Sequence, residues 1–157
     1  MMGDVKMQGK SSGFTLIELM VVVVVVAIIA AIATPSYINY VRRVNANQAE
    51  QAVLNLAAQL ERHKAKNFSY RGFNIESQDI PLGSNDIVRY SIDIVSAENP
   101  HVVLTDPDAS GQGWAIRAAS TDPLNFSYLL RSDGTRCRNK AVNNITFMNC
   151  GGGGETW

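Results

Sequence analysis

Histidine is almost missing from this chain: His63 and His101 are its only two. Neither stands among Cys, Asp or Glu at metal-ligand spacing, so neither a metal site nor a cofactor is expected. There is no G-x-S-x-G nucleophile elbow and no phosphate-cradling P-loop. With those absences, no enzymatic chemistry is expected of the sequence. His63 falls on the stripe of a helical pattern and reads as a half-buried packing residue. An excess of either charge is also lacking: 14 Lys and Arg face 14 Asp and Glu. Bulk electrostatics therefore give no argument for nucleic-acid binding. Cysteine is scarce, with Cys137 and Cys150 the only pair, and they are not spaced as C-x-x-C.

What the chain does have is one long apolar run. From Phe14 to Thr34 a single charge, Glu18, interrupts it. A membrane-spanning helix needs roughly 20 mostly apolar residues, so this stretch is long enough. In lipid every backbone polar group must be bonded within the segment, which imposes helix even on six consecutive valines. Short polar residues precede the run, with Lys6 and Lys10 against Asp4, and Lys10-Ser11-Ser12-Gly13 abuts it directly. A secretory signal places its cleavage site after the apolar region, and no A-x-A-like site stands near Ala33-Thr34-Pro35.

The order Gly13-Phe14-Thr15-Leu16-Ile17-Glu18 at the head of such a run resembles the type IV pilin signature. The resemblance covers about the first third of the chain. It implies that residues 1–13 are a leader removed by a prepilin peptidase between Gly13 and Phe14, and that the new amino group of Phe14 is methylated. It implies that the helix of residues 14–35 stays in the mature protein, and Pro35 matches the proline common at its end. A carboxylate at membrane depth costs about 2.5–3.5 kcal/mol. Glu18 is therefore expected to pair with the Phe14 amine of a neighbouring subunit and so set the register of assembly. Lys6 and Lys10 are expected to hold the N-terminal side in the cytoplasm. The head then lies periplasmic to a bacterial inner membrane, and on the pilus surface after assembly. The implied partners are other pilin subunits, major and minor, the peptidase and an inner-membrane assembly platform.

After Pro35 the pattern stays helical. Tyr37, Tyr40, Val41 and Val44 are followed by Ala49, Val53, Leu56, Leu60 and His63 at three- and four-residue spacing, which predicts an amphipathic helix over 36–64. Pro35 removes one backbone bond and is expected to kink or loosen the helix. Residues 65–157 form the expected head, roughly 90 residues and a marginal core. It opens with a loop over 65–86 rich in turn formers. From Ile87 the period becomes two, with Tyr90, Ile92 and Ile94 against Arg89, Ser91 and Asp93. Further strands are expected at His101–Thr105, at Trp114, Ile116 and Ala118, at Phe126, Tyr128 and Leu130, and at Asn144–Asn149. Asp133-Gly134 signals a hairpin, and the four glycines from Gly151 read as a flexible tail on which Trp157 docks. The fold class is α+β: a long N-terminal helix packed on an antiparallel sheet. A translocated head predicts a Cys137–Cys150 disulfide, two buried free thiols being the alternative.

Arg131, Arg136, Arg138 and Lys140 cluster around the Asp133-Gly134 turn. A solvated hairpin edge is the simpler reading, since edge charges deter strand addition. DNA phosphate contact, as in DNA-uptake pilins, is the other. The expected function is a structural pilus subunit. The Cys137 to Cys150 segment followed by a Gly-rich tail ending in Trp157 resembles the minor pilins called PilE. A major pilin and a type II secretion pseudopilin are the alternatives, with a DNA-binding pilin as a different class.

Overall fold

The computed structural model describes residues 13–74, 78–80 and 89–157. Residues 1–12 of the expected 1–13 leader, the turn formers Pro81, Gly83, Ser84 and Asn85, and the expected strand start at Ile87 lie outside these. Thr15 starts the first element: its hydroxyl accepts the Glu18 backbone N–H at 3.3 Å. Helix α1 then runs from Leu16 to Asn67, 52 residues without interruption through Pro35. It ends where Phe68 turns to φ 58° while its N–H still donates to the Lys64 carbonyl at 2.7 Å.

The chain divides into two compact units, 1–39 and 40–157. In the first, the described residues are all exposed, and mean hydropathy along the apolar stretch reaches 3.1. Tyr37 is exposed with them, as is Tyr40 just beyond, so the helix stripe that packs on the head begins later than the sequence suggested. In the second unit Ala46, Ala49, Ala52, Val53, Leu56 and Leu60 are buried. This is the apolar stripe that a core-facing helix needs.

Among the described residues the sheet is a five-stranded antiparallel meander in the order β1-β2-β3-β4-β5. Its strands are β1 Gln78–Ile80, β2 Tyr90–Ser96, β3 Trp114–Ser120, β4 Ser127–Arg131 and β5 Arg136–Asn139. Register fixes its two faces. Ile92 pairs Ala118 and Ile94 pairs Ile116, which pairs Leu130; Tyr128 pairs Arg138. The apolar members of this set join Val53, Leu56 and Leu60 of α1 in one core. Glu61 ties helix to sheet, accepting Tyr70 OH at 2.8 Å and Trp114 Nε1–H at 3.3 Å. On the opposite face Leu129 packs with Ile145 and Cys150 beneath the loop closed by the Cys137–Cys150 disulfide.

Two expected strands are absent. His101–Thr105 belongs to the β2–β3 connection, a chain of turns. Only Leu104 of its apolar triplet is buried in the core, while Val103 is 50% exposed. Among the described residues one backbone bond reaches it from β2, Ser96 N–H donating to the Val102 carbonyl at 2.8 Å, and no ladder of strand pairs follows. Asn144–Asn149 is likewise not a strand. A short 3-10 helix, Val142–Asn144, leads into turns, and Thr146 N–H donates to the Asn149 carbonyl at 2.9 Å. The free edge of β5 that it needed is occupied by Glu155, whose backbone N–H and C=O both pair with Arg138. The glycine tail is therefore a folded return and not a free end.

Candidate functional site

Gly13 and Phe14 precede the first helical turn, and among the described residues beyond its chain neighbours no atom lies within 4 Å of where a Gly13 Cβ would stand. Phe14 is 81% exposed. Thr15 and Glu18 occupy the N-cap and third positions of the helix, the two positions of a capping box. The carboxylate also sits at the positive end of the helix macrodipole. The Thr15-x-x-Glu18 pattern ahead of an apolar run is a legible signal for this start, separate from the pilin resemblance and missed beside it.

The four cations around the hairpin do not form one patch. The hairpin itself is as expected: Arg131 N–H donates to Thr135 C=O at 2.9 Å, and Gly134 takes φ 89°, which glycine permits without strain. Arg131 ends β4 on the face covered by the disulfide loop. It is held there by Asp133 at 2.9 Å and the Phe147 carbonyl at 2.8 Å, with 11% of its side chain exposed. It is a clip between hairpin and loop.

Arg136 and Arg138 alternate with Cys137 and so fall on the other face, the helix side. There they meet aromatics. The Arg136 guanidinium stands 4.0 Å from the Trp157 ring centroid and 3.6 Å from Glu50. That of Arg138 stands 4.3 Å from the Phe126 ring, and Lys140 Nζ lies 5.1 Å from the same ring. Trp157 is fixed from behind, donating Nε1–H to the Cys137 carbonyl at 2.9 Å and meeting Tyr128 edge-on at 5.1 Å. Burial raises the Tyr128 pKa, Glu50 adds to the rise, and Arg138 partly offsets it. The result is a row of three cations lying on aromatic shelves along the sheet edge. Guanidinium and ammonium groups held this way suit phosphate oxygens.

A second concavity lies on the opposite face, between the β2–β3 connection and the disulfide loop. It has two lobes of about 460 and 610 Å³ that share Arg117 and Phe147. Arg117 stacks 4.5 Å from the Phe147 ring and bonds Asp93 at 3.2 Å. Among the described residues no three His, Cys, Asp or Glu side chains converge as metal ligands would.

Two family models match the sequence. Residues 9–34 match the prokaryotic N-terminal methylation motif. Residues 35–121, more than half the chain, match the model described as type IV minor pilin ComP, DNA uptake sequence receptor. The chain belongs to the ComP minor-pilin family. It is a minor pilin of a type IV pilus, a structural protein that assembles with other pilus subunits. Membrane anchoring through the apolar helix fits the same assignment. Major pilin and pseudopilin fall away as readings. The cysteine segment and tail that resembled PilE lie beyond both matches, which end at residues 34 and 121. No curated protein and no solved structure matches the chain.

Proposed function

We propose that this minor pilin is the DNA-receiving subunit of its pilus, and that DNA phosphates meet it along Arg136, Arg138 and Lys140. The observation that carries the reading is the match of residues 35–121 to a family described as a DNA uptake sequence receptor. The row of cations on aromatic shelves supports the location. With 14 basic and 14 acidic residues in all, DNA attraction must be local. Arg131 is left out of the DNA-facing set because its Nε and Nη1 are engaged by Asp133 and the Phe147 carbonyl and only 11% of its side chain is exposed.

The rest of the life cycle follows from the signature. Prepilin peptidase removes residues 1–13 at the Gly13–Phe14 bond, and Phe14 is methylated. The head is held outside the inner membrane until an assembly platform passes the subunit into the fibre. Glu18 pairs with the Phe14 amine of a neighbour, which relieves a carboxylate in an apolar bundle. Pro35 loosens the helix where the span ends.

The test is binding of the mature chain in detergent micelles to a fluorescent DNA duplex across a salt series. Binding should weaken steeply with salt. Arg138→Gln together with Lys140→Gln should lower both the affinity and the salt slope, by about 0.9 for each phosphate no longer neutralised. Binding that ignores salt, or a double variant indistinguishable from the parent chain, would remove this location. No binding at all would remove the DNA reading.

A further inference from the structure

The segment 151–157 approaches the row of cations from an unexpected side. Its path is dictated by glycine. Gly151 and Gly153 have φ of 59° and 81°, and a Cβ on Gly154 would lie 2.8 Å from that of Cys150. The turn also has side-chain anchors: Asn139 and Asn144 both donate to the Gly152 carbonyl, at 2.9 and 3.1 Å. From there Glu155 docks on β5 by two backbone bonds to Arg138, at 2.8 and 3.0 Å. Its carboxylate then stands 3.2 Å from the Arg138 Nε.

This places an acid on the middle cation of the row. The ion pair is open to water on both sides, with side-chain exposures of 32% for Arg138 and 51% for Glu155. Exposed ion pairs of this kind are weak. The backbone bridge, the Phe126 shelf and the Trp157 shelf do not depend on it. The carboxylate can therefore rotate away without disturbing the edge.

We propose that Glu155 is a built-in competitor for DNA phosphate, occupying the Arg138 guanidinium until a phosphate oxygen replaces it. The proposal rests on the DNA-receiving reading and adds its regulation. One phosphate is opposed at every encounter, so weak backbone-only binding is discouraged. Trp157 and Phe126 meanwhile keep Arg136 and Arg138 aligned for the exchange.

The experiment uses the full mature chain in detergent and a labelled random-sequence duplex at fixed low salt, with a salt series for each variant. Glu155→Gln keeps the backbone bridge and removes the charge. It should tighten binding about two- to fivefold and leave the salt slope close to that of the parent, because Arg138 neutralises the same phosphate in both complexes. Asp108→Asn removes an exposed acid on the β2–β3 connection, away from β5, and should leave affinity unchanged. In an Arg138→Gln background, Glu155→Gln should have no further effect. The proposal is overturned if Glu155→Gln leaves binding unchanged or weaker. It is equally overturned if Asp108→Asn gains as much, or if the gain survives without Arg138. Parent-chain binding with a flat Glu155→Gln response leaves the DNA reading standing and removes only the competitor. If neither parent nor variant binds the duplex, the DNA reading falls and the competitor with it.

Discussion

Phe68 sits in the left-handed region at φ 58° and is 90% exposed, so its ring gains nothing from the head's own packing. That conformation costs a residue with a side chain about 1–2 kcal/mol, part of which glycine returns as chain entropy. Phe68→Gly should raise stability by about 0.5–1 kcal/mol, read as a Tm higher by a few degrees. A lower Tm would mean that the ring is packed after all. Asp122 carries the opposite lesson, an exposed-looking acid with fixed partners. It accepts the Leu124 backbone N–H at 3.0 Å and bonds Arg42 of α1 at 2.6 Å. The Leu124 amide, then the Arg42 side chain, hold its pKa below the ordinary value against the opposing effect of burial. A lowered folded pKa gives stability that is complete above the unfolded value, about 3.9. It is lost as pH falls through the folded one. Asp122→Asn should therefore melt earlier than the parent at pH 7, and the gap should close below about pH 4. A gap constant from pH 7 to pH 2 would contradict this.

At the scale of elements, the disulfide loop does two things at once. It covers Leu129 with Ile145, and it presents Phe147 to Arg117 and to Arg131. Cys137 and Cys150 are separated by 13 residues, a loop for which chain entropy predicts about 3 kcal/mol. Cys137→Ser with Cys150→Ser should cost about that much in urea unfolding. It should also expose the 140–149 segment to protease before the rest of the head. Simultaneous cleavage everywhere would show that the loop is not a separate unit. The strands were unevenly legible. β2 and β3 announce themselves because alternate residues are apolar, and the Asp133-Gly134 turn because few other residues accept its geometry. β5 does not, because Arg-Cys-Arg-Asn has no apolar face. Its cations lie over aromatic rings distant in sequence, which no local pattern records.

For the whole molecule, the exposed apolar residues from Leu16 to Ile32 demand a cover, either lipid or sister helices. Family membership makes assembly with other pilus subunits the destination. Glu18→Ala should be processed and stored in the membrane, but its yield in sheared fibres should fall severalfold relative to the parent. Equal recovery by mass spectrometry would end the assembly role proposed for that carboxylate. The sequence alone determined the anchoring helix, the processing signature, the α+β class and the cysteine pair. Each of those is written in neighbouring residues or in a repeating period. Only the tertiary structure decided that His101–Thr105 and Asn144–Asn149 are not strands, that 151–157 returns to β5, and that Arg131 parts from Arg136 and Arg138. A strand exists only where a segment ladders along a partner's edge, and a residue's face is set by register with a partner far along the chain. Those are properties of pairing between distant segments, which no local stretch of the sequence carries.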